Sequence, residues 1–216
     1  MEPIFRTTGT LDWITILLFS SLLFIIIAKS LFYTRFLNYI ILPFNNKYIF
    51  MYNKKEKLMN WFNVFFTLFQ IINFSLFLFF AWCIISQPHP DQKIFGYFII
   101  LGTVVLFQII KFILQIGNGF IFSNIKLFSE LVFKKISYLN YSAILMFIAN
   151  IILCYILKES KTVVYITVVL ILIINGIGWI TVLKNHQKFI THNFFYFILY
   201  LCALEIAPFV IMGSLL

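Results

Sequence analysis

Apolar residues run through this chain in six blocks of about 20 residues or more, and polar residues collect between them. As a helix, such a block rises 1.5 Å per residue and covers roughly 30 Å of hydrocarbon. The pattern predicts helices over 12–33, 61–86, 93–121, 137–158, 162–183 and 190–214. The expected fold is all-α: one polytopic domain over 1–216, a bundle of six transmembrane helices. A short interfacial segment is expected after the first span and an elbow after the third. Trp13, Trp61, Trp82 and Trp179 fall near predicted span ends, where an amphipathic ring meets both lipid and headgroups. The first run is too long for a signal-peptide core and is expected to stay as a span.

Composition sharpens this picture. The 216 residues are 62% hydrophobic and 11% charged, whereas a soluble domain carries about a quarter charged residues. No stretch between the runs is long enough for a separate water-soluble core. The net charge of +9 does not point to nucleic acid, because the basic residues sit between hydrophobic runs and no RNA- or DNA-binding signature is present. Cys83, Cys154 and Cys202 lie inside apolar runs and form no CxxC pair, so they read as small packing residues.

Lys and Arg set the expected orientation. Ten of them follow the first, third and fifth spans, among them Arg35, Lys47, Lys54, Lys55, Lys57, Lys126, Lys134, Lys135, Lys184 and Lys188. Four lie on the other side: Arg6, Lys93, Lys158 and Lys161. The positive-inside rule then places the odd-numbered loops in the cytoplasm and both termini in the periplasm. Thr34 to Asn60 alternates aromatic and basic residues, with Pro43 dividing it. Arg35, Lys47, Lys54, Lys55 and Lys57 read either as an ordinary positive-inside loop or as a grip on anionic lipid at the cytoplasmic face. Ser123 to Lys135 reads as an amphipathic elbow along the inner surface, with Ile125, Phe128 and Val132 on one helical side.

Polar residues within the spans need partners, because lipid offers none. The third span carries Gln108, Lys111, Gln115 and Asn118 at spacings of three and four, which puts them on one helical stripe. The second span carries Gln70 and Asn73 in a row with Asn60, Asn63 and Thr67. These stripes are expected to face each other, either as a polar cavity or as interhelical hydrogen bonds that hold the bundle. Lys111 and Glu205 are the two charges near mid-membrane. Their axial offset is about 10 Å, so pairing requires tilt, a long side chain or a bridging group. Pro208 frees the Leu204 carbonyl beside Glu205.

Catalytic signatures are missing: there is no HExxH, GxSxG or phosphate loop. His89, His186 and His192 fall in loops or at a span end, poorly placed for metal or haem. No cofactor, metal or enzymatic activity is expected.

Two stretches carry a family resemblance: Lys111-Phe112-Ile113-Leu114-Gln115-Ile116-Gly117 running into Phe120 and Phe122, and Tyr200-Leu201-Cys202-Ala203-Leu204-Glu205-Ile206-Ala207-Pro208. Together they resemble a small polytopic inner-membrane family of Bacteroidota catalogued only as a domain of unknown function. The resemblance implies a multi-pass protein of a bacterial inner membrane and supplies no catalytic residue. Small size and missing catalytic groups point to a non-enzymatic subunit or assembly factor of a cell-envelope complex, with the bilayer and other membrane proteins as partners. The alternative is a small carrier of a proton-linked solute or anionic lipid that uses the third-span stripe.

Overall fold

A computed structural model describes residues 12–45, 47–52, 60–86, 90–121, 125–158 and 160–185. Every regular element among them is helical: α1 (Asp12–Leu31), α2 (Tyr33–Ile40), α3 (Lys47–Tyr52), α4 (Trp61–Ser86), α5 (Pro90–Ile121), α6 (Ile125–Ile151) and α7 (Lys161–Asn185). Five stretches are long and apolar enough to cross a membrane: Asp12–Leu31, Trp61–Ser86, Lys93–Leu114, Glu130–Ile156 and Lys161–Thr181. The chain is a helical membrane protein. The expected sixth span, 190–214, lies outside the described residues, as do Lys54, Lys55, Lys57 and Glu205.

α4 and α6 form the centre. α4 packs against α1, α5 and α6, while α6 packs against α4, α5 and α7. Outer helices accordingly show large apolar side chains on their free sides: Ile16, Phe19, Leu23, Ile26 and Leu31 make such a stripe along α1. Exposed apolar rows of this kind are what lipid solvates and water does not.

Two aromatic cores hold the ends. At one, Ile14, Leu18, Leu76, Phe79, Tyr97 and Cys154 pack together, with Trp13 set 5.3 Å from both Phe79 and Tyr97. At the other, Tyr39, Tyr48, Phe62, Phe66, Phe133 and Tyr138 pack together, and Tyr48 stacks on Phe133 at 6.0 Å. Such ring pairs add to the area they bury by preferring offset and edge-on geometry.

Three elements depart from the sequence expectation. The first span stops at Leu31, because Phe32 leaves the helical region (φ −133°, ψ 53°) and Tyr33 opens α2. The interfacial segment is two short helices separated by a turn over Ile41–Phe44 that contains Pro43, and its inner side is buried in the second core. The elbow is not a separate element. α6 runs unbroken from Ile125 into the fourth span, because no Gly or Pro between 125 and 151 interrupts its hydrogen-bond ladder. At its far end the helix widens into a π-turn over Ile152–Ile156, closed by the Leu157 N–H on the Ile152 carbonyl at 2.8 Å.

Candidate functional site

The polar rows predicted on the second and third spans meet at Gln70 and Gln108. Gln108 of α5 donates through Nε2 to Gln70 Oε1 of α4 at 2.8 Å. One face of α4 continues the seam toward α6. Asn140 donates to Thr67 Oγ1 at 3.2 Å, and Asn150 donates to the Asn73 carbonyl at 2.9 Å. Asn73 itself donates to the Phe69 carbonyl of its own helix at 2.9 Å. Gln70, Asn73, Asn140 and Asn150 are all buried. Each amide thus carries a bond across or along a helix pair, as the low polarity around it demands. Gln70 Nε2 and Asn150 Oδ1 have no hydrogen-bond partner among the described residues. Gln115 and Asn118 belong to α5 by their backbone; their side chains lie outside what is described.

Lys111 sits half-buried one turn below Gln108, its Nζ 5.8 Å from the centre of the Phe107 ring. The residue that faces it was counted as a loop charge from sequence. Lys135 lies on α6, twelve residues after Ser123 as Lys111 lies twelve before it. Each is ten residues, about 15 Å, from the helix end at the α5–α6 connection. α5 packs against α6, which brings the two lysines near enough for the charge of Lys111 to bear repulsively on Lys135. The Lys135 ammonium rests 4.7 Å from the centre of the Trp179 ring of α7, a cation–π contact. Beside it, Lys134 is buried as well. Both lysines lie on the continuous helix α6, within its long apolar stretch Glu130–Ile156. Their long apolar stems allow this placement, since the methylenes bury at little cost. The signal in the sequence was the mirror spacing about the connection. Pairing of Lys111 with Glu205 concerns a residue outside the described set.

Arg35 departs furthest from expectation. It is 3% exposed, enclosed by protein side chains and not open to headgroups. Its guanidinium carbon lies 4.8 Å from the ring centres of both Tyr52 and Phe62 and 5.7 Å from that of Tyr48. Nη2 donates to Tyr48 Oη and to Asn63 Oδ1, each at 3.3 Å. A planar cation that both stacks and donates suits this cage; an ammonium does not. Nearby, the Tyr39 hydroxyl donates to the Ser137 carbonyl at 2.8 Å. Burial, with Tyr48 and Tyr141 adding to it and Arg35 opposing, holds that phenol well above its usual range, so it remains a donor. The cage ties α2, α3, α4 and α6 into one unit. By contrast, Lys47 is exposed, and its backbone N–H is capped by Asn45 Oδ1 at 3.0 Å.

Among the described residues, no three His, Cys, Asp or Glu side chains converge to hold a metal. Chemically, the arrangement offers helix-to-helix hydrogen bonds at mid-bundle, with Gln70 Nε2 and Asn150 Oδ1 left over, and lysines beside aromatic rings.

One family model matches the chain, over residues 14–216, and its description is Domain of unknown function (DUF4271). No curated protein and no solved structure matches.

Proposed function

The chain belongs to the DUF4271 family, and from that membership and the geometry of the seam we propose that it is a non-enzymatic integral membrane subunit or assembly factor of a larger membrane complex. One observation carries this reading: the mid-bundle polar groups are used on each other. Gln108 with Gln70, Asn140 with Thr67 and Asn150 with Asn73 bind helix to helix. Among the described residues, nucleophilic and acid–base groups are not grouped around a common point there, as a catalytic constellation requires. In this reading 190–214 adds a sixth span, the loops rich in Lys and Arg face the cytoplasm, and both termini face the outer side of a bacterial inner membrane. Gentle solubilisation and affinity capture of the full chain should recover membrane proteins in fixed stoichiometry. A clean monomer or homodimer would overturn the proposal.

A second reading, a small carrier, draws on Lys111, Lys135 and Trp179. Cations inside a helical bundle mark ion or substrate paths more often than they mark packing alone. If they carry protons or proton-linked solute, vesicles holding the protein and a trapped pH dye should show proton flux. Lys111→Ala and Lys135→Ala should then abolish it at unchanged protein level. Absence of flux from the unaltered chain removes this reading and leaves the first intact.

A further inference from the structure

α2 is built inside out compared with a helix that faces water. Its inward row, extended by the following turn, is Arg35, Tyr39 and Leu42, all buried. Its outward row is Tyr33, Leu37, Ile40, Ile41 and Phe44, all exposed, with Phe44 90% exposed. The spacing of that row, four, three, one and three, keeps it on one side because the chain stays coiled past Ile40. Leu42 N–H bonds to the Tyr39 carbonyl, and Phe44 and Asn45 N–H both bond to the Ile41 carbonyl, at 2.9–3.0 Å. A charge inside and a bare phenylalanine outside make sense only where the outer medium is apolar.

Three observations identify that medium. The exposed apolar residues Ile26, Ile27 and Leu31 of α1 come just before the row in the chain. It is held rigidly from behind, by the Arg35 cage and the Tyr39–Ser137 bond, so the side facing out is preformed. Lys47 stands exposed three residues beyond Phe44, and Lys54, Lys55 and Lys57 follow in the chain. An apolar row with the exposed Lys47 just beyond its end, and more lysines next in the sequence, matches the acyl–headgroup boundary of a leaflet carrying negative charge. A partner protein's membrane surface would complement the apolar row but gives no reason for an exposed Lys47 and the run of lysines that follows it in the sequence.

We propose that Tyr33–Tyr52 is a binding site for anionic phospholipid: Leu37, Ile41 and Phe44 lie among acyl chains while Lys47 meets headgroup phosphates. The site is independent of whether the protein is a subunit or a carrier. Lysines near a charged surface each favour anionic over zwitterionic lipid by about fivefold at low salt.

The test uses the full chain with Cys83, Cys154 and Cys202 changed to Ala and a bimane fluorophore attached at Phe44→Cys. It is reconstituted in phosphatidylcholine vesicles with graded brominated phosphatidylcholine or brominated phosphatidylglycerol. Both lipids should quench the probe, the glycerol lipid at severalfold lower mole fraction. Lys47→Ala/Lys54→Ala/Lys55→Ala/Lys57→Ala should remove the preference and keep the quenching, and high salt should narrow it. Attachment at Ile41→Cys repeats the measurement should the first variant misfold. Equal quenching by the two lipids overturns the anionic preference. No quenching by either overturns the lipid contact and points to a protein covering the row.

Discussion

Arg35 shows how one residue can decide a local fold that composition misreads. In sequence it is one more basic residue after a span. In the structure its guanidinium lies between two aromatic rings and donates to Tyr48 and Asn63. Hydrogen bonds to a charged group contribute about 1.5–3 kcal/mol, and a desolvated cation–π contact about 2 kcal/mol. Lysine keeps the charge but loses the planar stack and the fork. Arg35→Lys should therefore destabilise the protein by about 2–3 kcal/mol, read as a lower thermal midpoint in detergent. Lys47→Arg, at an exposed position, should leave the midpoint where it was. An unchanged midpoint in Arg35→Lys would mean that the cage contributes charge alone. Nothing in the one-dimensional pattern separated Arg35 from its neighbours. What buries it is Asn63 and Phe62, twenty-eight and twenty-seven positions on, and such a distant partner leaves no local periodicity.

Helix packing obeys the same separation between what local pattern carries and what tertiary approach decides. The second span, predicted at 61–86, matches α4 at both ends, because a run of apolar residues bounded by polar ones has one helical solution in lipid. The elbow failed for the converse reason: its amphipathic pattern was real, but no breaker separated it from the next span, so the helix simply continued. Gly176 and Gly178 form a Gly-x-Gly pair on α7. A Cβ on Gly178 would meet Tyr138 Cγ at 2.7 Å, whereas one on Gly176 meets nothing within 4 Å. α6 and α7 thus approach closely at Gly178 and not at Gly176. Gly178→Ala should destabilise by about 1–3 kcal/mol through overpacking. Gly176→Ala should be neutral or stabilise by up to about 1 kcal/mol, since it only removes backbone freedom. Unfolding of the two variants side by side in one detergent checks this, and equal effects would place the close approach elsewhere.

At the scale of the whole molecule, the stripe on the third span was legible because helical periodicity makes it so, and Gln108 reaches Gln70 as the stripes predicted. Lys135 was not legible as part of it: a lysine near a span end is what topology places there anyway, and only the packing of α5 on α6 brings it near Lys111. The seam therefore has two parts with different tests. If the amides serve as interhelical adhesive, replacing both members of a pair should cost little more than replacing one, since each single change strands a buried partner and the double change strands none. Interhelical hydrogen bonds in membranes couple by about 0.6 kcal/mol, so Gln70→Leu and Gln108→Leu should show a coupling of that order in a double-mutant cycle. The double variant should also bring down the same membrane partners as the unaltered chain. Should it fold with normal stability yet lose those partners or a measured proton flux, the amides belong to a working site, and adhesion would be the lesser part of what they do.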